Sequence, residues 1–195
     1  MKKYLLILLT TLASFRNFSN EPTDRIGVPG PLAFNKTAFN LAWTSKPSDN
    51  YYIQEYLPKG DNVDRFNQMI SIFLLVGETK LYDAVQQKVN ELNARKKTDP
   101  TCNYIVNQNP DKSEYMVDFV LADSKNDKME VEEFNIYRYK QVDLGDKKGI
   151  LVYAYSKRAY GDDITPFFKN LKTDRVDLLN AMIGSGLPAV KISDK

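Results

Sequence analysis

Apolar residues recur along this chain in two rhythms. Alternation with a period of two begins at Phe39, where Phe39, Leu41 and Trp43 share one side and Asn40 and Ala42 the other, the pattern of a half-buried strand with Trp43 in the core. Lys46-Pro47-Ser48-Asp49-Asn50 is a turn cluster. Tyr51–Leu57 then resumes extended structure until Pro58-Lys59-Gly60-Asp61 stops it, so the two strands predict a hairpin. A turn of helix is expected near Val63–Asn67 and a strand over Met69–Val76. Next comes the helical rhythm: Leu81, Val85, Val89 and Leu92 make an apolar stripe, predicting a helix from about Lys80 to Lys97. Thr79 is placed to cap a first-turn amide. Asp83 and Arg95-Lys96-Lys97 suit the two ends of the helix dipole.

Four extended segments follow, roughly Asn103–Gln108, Glu114–Ala122, Met129–Val142 and Gly149–Tyr160, separated by short polar loops. Sequential strands joined this way predict an antiparallel meander. Thr165-Pro166 marks a second helix start, with Phe167, Phe168, Leu171, Leu178, Leu179, Met182 and Ile183 on its apolar face. Arg175 interrupts that stripe and predicts a kink near Thr173-Asp174, and Gly184 suits a left-handed helix end. Leu187–Ser193 is read as a short final strand. Strands, helix, strands, helix, without strict alternation, predicts the α+β class: an antiparallel sheet of about six to seven strands with two main helices packed against it.

The first residues obey neither rhythm. Met1-Lys2-Lys3, an apolar run over Tyr4–Leu9 and the small residues Thr11, Ala13 and Ser14 form the three parts of a secretory signal peptide. The run is shorter than the ~20 residues of a membrane span. Domain organisation is therefore read as a signal peptide over residues 1–13, an irregular lead-in over residues 14–38 broken by Pro22, Gly27, Pro29, Gly30 and Pro31, and one domain over residues 39–195. The only cysteine, Cys102, lies far from the cut, so the exported product is expected to be soluble in the periplasm or outside the cell, without a lipid anchor and not integral to a membrane. Cys102 is expected to be buried.

Cleavage changes the charge account. The chain carries 27 Lys+Arg and 25 Asp+Glu, and losing Lys2 and Lys3 makes the two signs equal. No basic field remains to attract nucleic acid. About 180 residues bury ~70% of their unfolded surface and need no disulfide.

The order of elements resembles Mog1/PsbP-like domains. A second resemblance rests on Pro29-Gly30-Pro31-Leu32-Ala33-Phe34, Phe39-Asn40-Leu41-Ala42-Trp43, Gln54-Glu55-Tyr56-Leu57-Pro58-Lys59-Gly60 and Tyr137-Arg138-Tyr139-Lys140. Together these are similar to an uncharacterised family of secreted proteins from Bacteroidetes-type bacteria. That resemblance implies export and carries no activity.

Candidate chemistry is sparse. The chain has no histidine, which excludes histidine bases and Ser-His or Cys-His nucleophiles. With one cysteine there is no conventional zinc set, and no glycine-rich phosphate loop follows a strand. No catalytic residue, metal or cofactor is assigned. Glu130, Glu132 and Glu133, with Asp61 and Asp64, are acids whose ordinary place is the solvated surface. Tyr137 and Tyr139 on one strand and Tyr153 and Tyr155 on the next form a cross-strand aromatic patch if the intervening loop centres on Asp146. Tyr115 is placed to extend it. Such a patch stacks on a sugar, peptide or planar ligand, whereas a slip of one residue sends the pairs to opposite sides. The function expected is an exported, non-enzymatic binding or accessory domain, its partner a small molecule, a glycan or an envelope protein. The alternatives are a hydrolase or lyase using carboxylates and tyrosines, and a subunit of an envelope assembly.

Overall fold

A computed structural model describes residues 22–126 and 128–192; the expected signal peptide lies outside them. Eight strands form one antiparallel sheet: β1 (Leu32–Phe34), β2 (Thr37–Ser48), β3 (Tyr51–Leu57), β4 (Gln68–Val76), β5 (Asn103–Gln108), β6 (Glu114–Lys125), β7 (Lys128–Asp143) and β8 (Lys148–Tyr160). Their order is β1-β2-β3-β4-β8-β7-β6-β5. Four strands meander outward, the helix α1 (Leu81–Arg95) carries the chain to the far edge, and four more strands walk back until β8 pairs with β4. A short 3-10 turn at Gly161–Asp163 then leads into α2 (Ile164–Gly184).

The sheet curls into a half-barrel and dominates the fold. This corrects the expected class of a six-to-seven-stranded sheet with two main helices packed against it. One strand was hidden in the lead-in. Asn35 (φ 43°) and Lys36 (φ 65°) make a two-residue turn that folds Leu32–Phe34 back on Thr37–Phe39, as hairpins with two left-handed central residues do. The segment ahead of it is also fixed. The Gln54 side chain accepts from the Arg25 amide at 2.6 Å and donates to the Val28 carbonyl at 3.2 Å, which also accepts from the Tyr56 hydroxyl at 2.6 Å. No strand forms over residues 187–192; instead the Lys191 amide donates to the Ile26 carbonyl at 2.8 Å.

Alternation along the strands builds two cores. On one face Tyr52, Tyr56, Ile70, Ile72, Leu74, Phe134, Ile136, Tyr153 and Tyr155 pack with Phe167, Leu178 and Met182 of α2. On the other, Val117, Phe119, Tyr139 and Ile150 pack with Leu81, Val85 and Leu92 of α1, and Cys102 is buried among them. Helix α2 runs unbroken through Arg175, because that guanidinium reaches Asp118 on the sheet at 2.7–2.8 Å. Gly184 takes no left-handed conformation. Arg138 instead donates to the carbonyls of Met182, Ile183 and Ser185, which a left-handed residue would otherwise help satisfy.

Candidate functional site

The β7–β8 register decides the fate of the expected tyrosine patch. Tyr137 lies opposite Ala154, Tyr139 opposite Val152, and Tyr153 opposite Arg138. The connecting loop spans residues 144–147, closed by Leu144 donating to the Lys147 carbonyl at 2.8 Å, with Gly145 at φ 85°. A loop of even length centres between two residues and not on Asp146, so the pairs face opposite ways. Tyr153 and Tyr155 are buried on the α2 face, where burial pushes Tyr153 up to about 12. Tyr139 is buried beneath α1 and Tyr137 lies half-buried beside it. The four rings form no single patch.

A different constellation appears on the α1 face. A β-bulge between Leu41 and Trp43 shifts the β2 register, so that Leu41 lies opposite Tyr56 but Trp43 lies opposite Glu55. Trp43 thereby leaves the side that Phe39 and Leu41 share and is 39% exposed, which corrects its expected place in the core. From there one row crosses the sheet: Trp43, Glu55, Ser71, Ala154 and Tyr137. Small residues floor its centre and aromatic residues stand at both ends. The next row adds Ser156 and Asn135, and the one beyond adds Arg158 and Glu133. Helix α1 borders this area, with the Lys88 ammonium 5.4 Å from the Tyr137 ring centre. Phe73 stacks on that ring at 5.7 Å.

The polar groups of this face are unevenly satisfied. Arg158 is bonded to Glu133 and lies 4.1 Å over the Phe66 ring. Asn135 is buried; its Oδ1 accepts from the Ser156 hydroxyl at 2.6 Å, while its Nδ2 has no acceptor. Glu55 is half-buried and, among the described residues, has neither a salt bridge nor a hydrogen-bond partner. Burial pushes its pKa up to about 7; the Arg158 charge opposes that rise and Glu133 adds to it. Burial also raises the Tyr51 phenol to about 12, with the Glu91 charge adding to it.

The other acids scatter. Glu130, Asp61 and Asp64 are not buried, and Asp61 accepts from the Asn67 amide at 3.0 Å. Glu132 is fully buried with neither carboxyl oxygen partnered, which overturns its expected place on the solvated surface. Asp99 is buried nearby. Burial alone would raise its pKa, but the Ala122 amide, the Thr101 hydroxyl and Arg95 together hold it below the usual value. Among the described residues no group of three or more Cys, Asp and Glu side chains is placed to hold a metal ion, and no helix is long and apolar enough to cross a membrane. An open groove of about 460 Å³ lined by Arg65, Met129, Tyr160 and Gly161 lacks the enclosure of a ligand pocket.

Sequence reasoning missed Trp43 and Glu55 as a pair because a bulge has no hydropathy signature. The neighbouring Lys46-Pro47 is the only local hint of a distorted strand. No curated protein matches the chain, and no solved structure does. A protein-family model matches residues 26–187, which holds every residue of the site just described, and the chain belongs to that uncharacterised family.

Proposed function

We propose that the protein is an exported, non-enzymatic binding domain of a secreted bacterial family, and that its ligand is a small neutral saccharide or similar polyol held on the α1 face. One observation carries this reading: the exposed Trp43 stands directly beside the unpartnered carboxyl of Glu55. An indole face takes the C–H side of a sugar ring, and a free carboxyl takes its hydroxyls. Between Glu55 and Tyr137 the row carries only the small, buried side chains of Ser71 and Ala154. Glu55, Glu91 and Glu133 outweigh Arg158 and Lys88 here, which disfavours phosphates and other anions.

Trp43 is the only tryptophan, so its emission reads this site alone. Titration with neutral mono- and disaccharides, N-acetylated sugars, sugar acids and inorganic phosphate is the test, with thermal shift in parallel. The expected result is saturable quenching or enhancement by neutral sugars, abolished in Glu55→Gln and Trp43→Ala proteins that remain folded. A flat response to the whole panel, or unchanged binding by Trp43→Ala, refutes the reading. Export is tested by the mass of the product from a bacterial host: loss of residues 1–13 supports it, and retention of Met1 refutes it.

The second reading is a carboxylate-dependent hydrolase. It is favoured by Glu55, whose pKa burial raises to about 7, lying on the same face as a second carboxyl, the Arg158-paired Glu133, since two-carboxyl hydrolysis needs an acid with a raised pKa and a second carboxyl. Release of chromophore from aryl glycosides, lost in Glu55→Gln, would select it over binding alone.

A further inference from the structure

The sheet has two ends and only one is protected. At the first, β1 is three residues long, and Lys46 and Pro47 stand where β2 runs past it. Short strands, lysine and proline are the devices that keep sheet edges from pairing. At the other end β5 reads Asn103-Tyr104-Ile105-Val106-Asn107-Gln108, without a charge or a proline. Ile105 is 48% and Val106 39% exposed, on opposite faces. Among the described residues nothing pairs with the outer side of β5.

The ladder tells which groups look outward. Just past the start of β5, the Ala122 amide of β6 points to the β5 side and is taken by the Asp99 carboxylate at 2.8 Å. Even-numbered residues of β6 therefore bond toward β5. Their partners Asn103, Ile105 and Asn107 are directed inward, leaving Tyr104, Val106 and Gln108 to present N–H and C=O groups to the outside. The Tyr104 amide, lacking a ladder partner, donates to Oδ1 of its neighbour Asn103 at 3.0 Å.

We infer that β5 pairs with β5 of a second copy of this chain, antiparallel about a two-fold axis through Val106. This register engages every outward residue: Val106 meets Val106 of the second copy, and Tyr104 meets Gln108. On the other face Ile105 lies opposite Asn107. No charge opposes another along the strand. Beyond its ends one acid and one base are brought toward each other. Asp111 follows β5 in an exposed loop, with Lys112 next in the same loop, and antiparallel pairing carries Asp111 toward the second copy's Lys96. That lysine flanks the start of β5, its Nζ 3.3 Å from Asn103 Oδ1 and 4.4 Å over the Tyr104 ring. An isologous contact of this kind closes on itself as a dimer. A six-residue strand pair falls below the roughly 1,200 Å² of a standard stable interface, in the size class of weak, transient contacts.

Sedimentation velocity of the purified protein, from low-micromolar to several-hundred-micromolar concentration, tests the inference. The mass is expected to rise from one protomer toward two. Val106→Pro removes only an outward N–H and is tolerated on an edge strand; it is expected to stay monomeric with unchanged circular dichroism. Should that variant misfold, Val106→Lys, which sets like charges on the axis, is expected to give the same loss. Val106→Cys is expected to form a covalent dimer on mild oxidation, Cys102 being buried. Ile105→Cys is expected not to, because its counterpart lies diagonally away, beyond disulfide reach. A wild-type protein that stays monomeric throughout overturns the inference. So does association undiminished in a folded Val106 variant, or cross-linking as efficient at Ile105 as at Val106.

Discussion

Replacing Glu132 by glutamine is expected to stabilise the protein in neutral and alkaline solution and to leave it nearly unchanged in mild acid. Glu132 lies between Ala122 on β6 and Ala159 on β8, fully buried, with both carboxyl oxygens unpartnered. Burial first, and then the nearby Asp99 charge, raise its pKa from 4.5 to about 8 against the lowering pull of the nearby Thr101 hydroxyl. The folded protein thus holds one proton more than the unfolded chain between those two values. Stability must then fall as pH rises through that window, by up to 1.36 kcal/mol per pH unit. Across the window this amounts to about 5 kcal/mol as an upper value. Below the window both states are protonated and the penalty vanishes. Above it both are ionised and the penalty is complete.

Glutamine keeps the shape of the protonated acid and never ionises. Urea unfolding of both proteins from about pH 5 to about pH 8.5 supplies the comparison, read as the difference in unfolding free energy at each pH. Taking the difference cancels Glu55, which weakens the fold with rising pH in the same sense. It also cancels Asp99, whose lowered pKa contributes stability that is lost only on acidification. The expected curve is near zero, within about 1 kcal/mol, at the acid end and grows to as much as about 5 kcal/mol in favour of Glu132→Gln at the alkaline end. A difference that stays flat across the range refutes the reasoning, as does a variant less stable at every pH.

Three further outcomes follow from the packing. Arg175→Met leaves Asp118 buried without its cation and is expected to cost about 3–5 kcal/mol in chemical denaturation, most of it recovered when Asp118→Leu is added. Gln54→Leu removes the clip on Arg25 and Val28; about 1–3 kcal/mol of stability and faster tryptic cleavage at Arg25 are the expected readouts. Native Trp43 emission is expected to be red-shifted and strongly quenched by acrylamide, whereas a blue-shifted, protected indole would place Trp43 in the core and remove the bulge argument.

Long stretches of the fold were legible in the sequence where one physical preference acts alone. The extended segments Tyr51–Leu57 and Met69–Val76 and the four later strands are ones that the structure keeps, and the helix expected from about Lys80 to Lys97 matches α1 to within two residues at either end. What escaped were features decided by backbone geometry or by a distant partner. The Asn35-Lys36 turn concealed β1, since asparagine tolerates a left-handed conformation but lysine stands where such hairpins usually have glycine. Arg175 looked like a helix breaker because its partner, Asp118, lies 57 residues away. Arg138 likewise replaces Gly184 at the end of α2. The tyrosine patch failed on a single residue of register, and the candidate site emerged from another shift, the bulge that turns Trp43 toward Glu55. Registers depend on loop closure, and hydropathy averages over them.

The distribution of paired and unpaired acids gives the candidate site its weight. Asp99, Glu114, Asp118 and Glu133, each buried or half-buried, all have an arginine partner, which is how proteins usually tolerate carboxyls away from water. Glu55 and Glu132 break that habit on opposite faces of one sheet. Glu132 is sealed between two alanines, where no ligand reaches it, so its consequence is confined to the pH dependence of folding. Glu55 is half-open, next to an exposed tryptophan and on the same face as an amide donor that lacks an acceptor. A fold that sets an arginine against four of its shielded acids, and a lysine or backbone amides against the half-buried Asp174, Asp24 and Asp61, leaves this one free within reach of solvent, a hydrogen-bonding group for something outside the chain to complete.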